Sequence, residues 1–137
     1  MGDAADAFGL SVPARAELIG TLRVFVSTIA RHYELNEDGV EDVKLAVSET
    51  AAAAIDAGLR GRIDVIVEAA SGVIGVRVVC PAWSESRWLP IEVPEGIDPR
   101  SLDRFEVVRA LFADADRSEA GGAVTVRFST PAPTSTR

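Results

Sequence analysis

Cysteine and histidine, which build disulfides, zinc centres and nucleophilic triads, are almost missing from this 137-residue chain. Cys80 is the only cysteine and His32 the only histidine, so one chain can form neither a disulfide nor a cysteine metal cluster. A zinc site or a catalytic triad would depend on His32, whose helical context predicts instead a partly exposed position at a helix end. Nothing near Cys80 in the sequence would lower its pKa, and we interpret it as a small buried hydrophobe.

Lysine and long apolar runs are also scarce. Lys44 is the only lysine, and the formal net charge is -7, so the positive surface that binds nucleic acid or an anionic membrane is missing. No apolar run reaches the roughly 18 residues that a membrane span needs. Residues 1–7 lack the basic segment and apolar core of a secretory signal. We therefore expect a cytoplasmic protein whose partners are proteins or small molecules, with no nucleic acid and no membrane among them.

The remaining composition is that of an ordinary globular protein. Hydrophobic residues make up 47% of the chain and charged residues 26%, which argues against disorder. A chain of this length can bury a core without disulfides or metals. We predict one domain over residues 8–129, with loose termini at residues 1–7 and 130–137.

The N-terminal half of the sequence predicts a strand followed by two helices. Residues 8–12 alternate apolar and small side chains, which is typical of a short strand. Pro13 fits the first position of a helix, and apolar residues recur every three or four positions as far as Tyr33. Asn36 favours the start of a second helix as its cap. Gly58 would end that helix.

The C-terminal half predicts a hairpin, a loop, a helix and a closing strand. Residues 62–69 and 74–80 alternate on either side of a Ser-Gly turn, which indicates a β-hairpin. Residues 81–94 are predicted to form an irregular loop, with residues 91–93 as a candidate short strand. Asp98 is a candidate cap for a third helix, and a Gly-Gly turn leads into a strand over residues 124–128.

This order of elements predicts the fold class. Consecutive strands joined by a tight turn favour antiparallel pairing, and amphipathic helices need a sheet face to cover. We expect an α/β (α+β) protein, a two-layer sandwich of a mixed, mostly antiparallel sheet with helices on one face.

The most informative segment lies in the second predicted helix. Residues 45–49 read Leu-Ala-Val-Ser-Glu, and Ala54 and Ile55 follow. This run resembles the first nucleotide-binding box of the RsbW/SpoIIAB-type anti-sigma factors of the GHKL (histidine kinase-like ATPase) superfamily. The resemblance implies a GHKL (Bergerat) ATPase-like fold, with Glu49 as the catalytic base if the nucleotide site survives. A solvated carboxylate on a helix surface is the alternative interpretation of Glu49.

Six positions that the resemblance places in the nucleotide pocket carry other residue types here: Ala53, Ala57, Cys80, Ala82, Leu102 and Arg104. In the first box, Ala53 stands where the family has a magnesium-binding asparagine, and Ala57 stands where it has a histidine. Magnesium takes oxygen ligands, which a methyl group cannot supply.

The second and third boxes are altered in the same way. Cys80 replaces the aspartate that hydrogen-bonds adenine in the family, and Ala82 replaces the glycine after it. Leu102 and Arg104 replace two glycines of the loop whose backbone N–H groups cradle phosphate before a helix. The resemblance therefore implies the fold more strongly than the activity, and we expect neither ATP nor magnesium as a cofactor.

Three functional interpretations remain open. The first is an anti-sigma-factor-like regulator that sequesters a sigma factor by protein contact and is released by an anti-anti-sigma (STAS-like) protein. The second is an active ATP-dependent serine kinase of that antagonist, using ATP and magnesium. The third is a stress-pathway scaffold without a sigma partner. The resemblance also implies a homodimer, in which the strand over residues 8–12 could pair or pack with a second copy. Trp83 and Trp88 are candidates for partner contact or for closing over the pocket.

Overall fold

The computed structural model describes residues 5–70, 72–81, 95–96 and 104–133. The secondary-structure elements of these ranges are β1 (Asp6–Pro13), α1 (Ile19–His32), α2 (Glu37–Asp56), β2 (Arg62–Ala70), β3 (Val73–Pro81), α3 (Phe105–Leu111), β4 (Asp116–Ala120) and β5 (Ala123–Pro131). A single 3-10 turn, Ala16–Leu18, leads into α1.

The strands form one sheet in the order β1-β2-β3-β5-β4. Val65 in β2 lies opposite Leu10 in β1 and Val78 in β3, and Val78 lies opposite Val126 in β5. Every strand pair in the described ranges is antiparallel. The predicted fold class and the predicted β2–β3 hairpin are confirmed.

One face of the sheet carries the core. Val65, Val78 and Val126 form a row across the middle strands, each 0% exposed, and their neighbours two residues along each strand point the same way. α1 contributes Leu22 and Val26 to the same cluster, each 1% exposed. The result is a two-layer arrangement in which the helices cover one sheet face.

Local signals in the sequence set both ends of α2. The Asn36 side chain accepts a hydrogen bond from the Gly39 amide at 2.7 Å, and Glu37 and Asp38 occupy the first turn, where carboxylates favour the helix dipole. At the other end Gly58 has a φ of 94°, a left-handed conformation that glycine adopts without strain. The predicted cap and the predicted stop of this helix are both confirmed.

The predicted start of the first helix at Pro13 is wrong. Pro13 is the last residue of β1 and pairs with Arg62, and α1 begins only at Ile19. The next amide, that of Ala14, donates to the Gly61 carbonyl at 2.9 Å. β1 lies at the end of the strand order, where a proline without an N–H group is tolerated.

The sequence prediction also missed β4. Its residues, Asp-Arg-Ser-Glu-Ala, show no apolar alternation, because among the described strands it lies at the sheet edge and pairs with β5 alone. Gly121 and Gly122 join the two strands with positive φ values of 61° and 76°, as a tight two-residue hairpin turn requires.

Both predicted loose termini were set too wide. Asp6 and Ala7 belong to β1, and Asp6 accepts a hydrogen bond from the Tyr33 hydroxyl at the end of α1. At the other end β5 continues to Pro131, and the Ala132 amide donates to the Gly72 carbonyl at 3.0 Å. Backbone pairing therefore orders two residues more at each end than the hydrophobic pattern indicated.

The third predicted helix is present as α3, where Phe105 and Val108 are buried and Phe112 follows just beyond the helix end. Its predicted cap Asp98, the loop tryptophans Trp83 and Trp88, and the pocket positions Ala82 and Leu102 lie outside the described residues. No helix in the described ranges has the length and apolar character needed to cross a membrane.

Candidate functional site between helices α2 and α3

The face of α2 that carries the Leu-Ala-Val-Ser-Glu motif is more covered than predicted. The resemblance places this face toward a nucleotide pocket, yet Ala46 and Ala53 on it are 0% and 3% exposed, while Leu45 is 42% exposed. The reason is that α2 contacts α1 and β3 and also α3. This face of α2 is therefore an interface with α3 rather than an open wall.

Two carboxylates lie on that face. Glu49 and Asp56 are seven residues apart, which is about two helical turns or about 10.5 Å along the axis. Ala53 lies between them. The Glu49 side chain is 30% exposed and the Asp56 side chain 64%. Both carboxylates are therefore accessible to a cation on the α3 side of α2.

The cation that reaches them is Arg104, which directly precedes α3. Its Nη1 atom is 2.8 Å from Oδ2 of Asp56, and its Nε atom is 3.6 Å from Oε2 of Glu49. The Arg104 side chain is about one-third exposed, while Nη1 itself is buried and makes no hydrogen bond of aligned geometry. The contact is thus a close ion pair with little directional character, and it spans two carboxylates.

Cys80 is confirmed as a buried hydrophobe. It is 0% exposed, near the end of β3 opposite Val124 of β5. Burial, and to a lesser extent the negative charge of Asp64, raises the pKa of the Cys80 thiol to about 12. The group is a neutral thiol at physiological pH, so it supplies neither a nucleophile nor the charged acceptor that an aspartate would give to adenine.

Two further residues from the sequence analysis are Ala57, a predicted pocket position, and His32, the only histidine of the sequence. Ala57 caps the end of α2, where its amide donates to the Ala53 carbonyl at 3.0 Å, and its methyl group packs against the core. His32 is exposed at the end of α1, with its ring 5.0 Å from that of Tyr33, as predicted for a helix-end histidine. No three potential metal ligands cluster anywhere in the described ranges.

A concavity with a volume of about 270 Å³ lies on the sheet face away from the helices. Arg77 and Arg127 are directly opposite one another in its wall. Each arginine has an acidic neighbour: Arg77 is 3.4 Å from Glu68, and Arg127 is 4.0 Å from Asp116. These charges largely neutralise one another, so the concavity presents no concentrated field of one sign.

Three described positions that the resemblance places in the nucleotide pocket carry residue types other than those of the family: Ala53, Cys80 and Arg104. Ala53 brings no oxygen ligand to the metal, and Cys80 brings no negative charge to adenine. Arg104 places a guanidinium beside Glu49, where a base would need free access to a proton. The sequence placed Arg104 at the position of a phosphate-loop glycine and did not reveal its partner Asp56. The seven-residue spacing from Glu49 to Asp56 was the available signal.

Comparison with known proteins places the chain in a family. Residues 12–128 match the family described as Histidine kinase-like ATPase domain, and the protein belongs to that family. Within it, 47 residues are 38% identical to "Serine-protein kinase RsbW" of Halalkalibacterium halodurans, over 34% of this chain and 29% of that protein. The RsbW resemblance predicted from residues 45–49 is confirmed.

The fold is similar to that of a solved RsbW domain. A crystal structure of the RsbU and RsbW domains of a Mycobacterium tuberculosis protein superposes with a TM-score of 0.66 at 17% identity, covering 96% of this chain and 35% of that one. At this identity the likeness shows the fold alone. The chain spans about a third of the length of both relatives.

Proposed function

We propose that the protein is an anti-sigma-factor-like regulator. It sequesters a sigma factor by direct protein contact in a partner-switching pathway of the cytoplasm, and an anti-anti-sigma (STAS-like) protein displaces it. The family, the local similarity to an RsbW kinase and the RsbW-like fold support this assignment.

One observation favours a binding role over a kinase role. Glu49, the position of the family's base, faces the guanidinium of Arg104 at 3.6 Å, and Ala53 beside it is buried and carries no ligand for magnesium. A regulator that acts by protein contact needs neither group. We therefore propose that release by the antagonist proceeds without phosphate transfer.

The test is reconstitution with purified proteins. Each sigma factor of the source cell is assayed for transcription with RNA polymerase, with and without the regulator, and the STAS-like antagonist is then added with no nucleotide present. We expect inhibition of one sigma factor and its reversal by the antagonist. No inhibition of any sigma factor would reject the proposal and would favour a scaffold without a sigma partner.

An active serine kinase is the second candidate, and the retention of Glu49 is the observation that favours it. The test is transfer of labelled phosphate from ATP to a serine of the antagonist, with Glu49→Gln as the variant and Glu41→Gln, on the same helix, as the control. Transfer that is lost only in Glu49→Gln would establish the kinase and refute the proposal of a contact-only regulator.

A homodimer is part of the proposal. β1 ends the strand order of the sheet, so the backbone groups on its outer side are available for pairing with a second copy. Light scattering at micromolar concentration is expected to give twice the chain mass. A monomer at that concentration would remove the dimer while leaving the anti-sigma assignment to the transcription assay.

A further inference from the structure

The contact between α2 and α3 suggests what replaces nucleotide at this site. We propose that Arg104 is an internal cation that ties α3 to α2 by bridging Glu49 and Asp56 across Ala53. The tie joins the two helices through side chains of this chain alone. This inference rests on the proposed function in one respect, namely that the site works without nucleotide.

Helix geometry fixes where the arginine side chain lies. Positions 49, 53 and 56 share one face of α2, because residues three, four and seven apart are neighbours along a helix surface. One guanidinium approaches residue 49 at 3.6 Å and residue 56 at 2.8 Å. The Arg104 guanidinium therefore lies between residues 49 and 56, beside the turn of α2 that carries residues 52 and 53.

The small size of Ala53 is what leaves room for this placement. Its side chain is a single methyl group, and the residue is 3% exposed. A larger side chain at that position would fill the volume through which the guanidinium reaches both carboxylates. Ala53 and Arg104 thus act as a matched pair, a small residue on α2 and a long one directly before α3.

Among the ion pairs of the described residues, those of Arg104 run between α2 and the start of α3. Lys44, on α2, pairs with Glu41 of the same helix at 3.0 Å. Arg109, on α3, lies 3.5 Å from Glu106 of its own helix. Both of these pairs are local. Arg104 instead reaches across to α2, so Glu49 becomes a positioning residue whose carboxylate receives the tie.

The test measures how often α3 opens, using hydrogen exchange of the amides of residues 109–112 in the full chain without partner or nucleotide. Removing the cation in Arg104→Ala should speed their exchange about three- to tenfold, the range expected for losing partly exposed ion pairs. Arg109→Ala is the matched control, because that arginine pairs within α3, and it should leave exchange within about twofold of the parent.

The carboxylates are tested by charge removal at constant shape. Glu49→Gln and Asp56→Asn should each speed exchange of the same amides, and neither should add to the effect of Arg104→Ala. Arg104→Gln, which keeps a polar side chain without the charge, should behave as Arg104→Ala. If Arg104→Ala and Arg104→Gln exchange like the parent, or if the carboxylate changes are fully additive with Arg104→Ala, the tie does not exist.

The need for a small residue at position 53 is tested by enlarging its side chain. Ala53→Asn should displace the arginine and raise α3 exchange to about the level of Arg104→Ala, and it should add little when made in the Arg104→Ala protein. An Ala53→Asn protein with parental exchange would overturn the claim that a small residue is needed. None of these measurements involves a sigma factor, so failure of the tie and failure of the anti-sigma proposal are seen in separate experiments.

Discussion

The buried thiol of Cys80 should make the protein less stable at alkaline pH in a way that a single substitution abolishes. Burial holds the pKa of this thiol at about 12 in the folded chain, against an ordinary value of 9.0. The unfolded chain therefore releases the proton near pH 9, while the folded chain keeps it. Stability falls with rising pH wherever the folded state binds more protons. The contribution of the neutral thiol is thus fully present below pH 9 and is lost progressively between about pH 9 and about pH 12.

The size of the effect follows from those two values. Each pH unit in this window costs about 1.4 kcal/mol. The parent should lose about 1.4 kcal/mol of unfolding free energy between pH 7 and pH 10, and about 2.7 kcal/mol by pH 11. Cys80→Ala leaves a small cavity at a 0% exposed position, which lowers stability by a roughly constant amount at every pH.

Urea unfolding followed by circular dichroism from pH 7 to pH 11 measures both the pH-dependent loss of unfolding free energy and the constant cost of the cavity. Other groups that titrate in this range, including Tyr33, whose hydrogen bond to Asp6 raises its pKa, are common to the parent and the variant. The difference between the two curves therefore isolates Cys80. The unfolding free energy of the parent minus that of the variant should fall by about 1.4 kcal/mol from pH 7 to pH 10. Parallel curves over the whole range would refute the reasoning, because they would mean that the thiol keeps its ordinary pKa in the fold.

Three further outcomes are expected. Asn36→Ala should lower the unfolding free energy by about 1 kcal/mol through loss of the α2 cap, while Asp38→Ala, which removes no cap bond, should cost clearly less in the same urea experiment. Leu22→Ala should cost about 2–5 kcal/mol because it empties a site that is 1% exposed, and a loss below about 1 kcal/mol would contradict the described core. Calorimetry with ATP and magnesium should give no dissociation constant tighter than about 1 mM, since an ion or charge contact worth about 1.5–3 kcal/mol is missing at both Ala53 and Cys80; micromolar binding would revive the kinase candidate.

Local signals made the fold predictable. Asn36 and Gly58 define α2 because capping and left-handed termination depend on a few adjacent residues. The β2–β3 hairpin shows the alternation of strands that are covered on one face. β4 carries no such alternation, because its place in the sheet depends on pairing with β5 rather than on burial. Pro13 was assigned to the wrong element because proline suits both a helix start and the end of an edge strand.

The site was only partly predictable for a related reason. The motif over residues 45–49 identified the family, and the replacements at positions 53, 80 and 104 could be read directly. The covering of Ala53 and the ion pair from Arg104 to Asp56 depend on how α3 docks on α2. That docking joins segments far apart in the chain, and no periodicity within either helix encodes it.

The strand order has a consequence for the chain while it is being made. β3 is a central strand of the sheet, yet its neighbour β5 is the last strand of the sequence. Until β5 is available, the backbone groups along one edge of β3 are unpaired. Ile74, Val76 and Val78 of this strand, which are almost completely buried in the finished protein, then lack part of their cover. An open apolar edge of this kind favours pairing with other chains. A nascent or truncated polypeptide that stops before residue 123 is therefore expected to aggregate more readily than the full chain, and completion of β5 closes that edge.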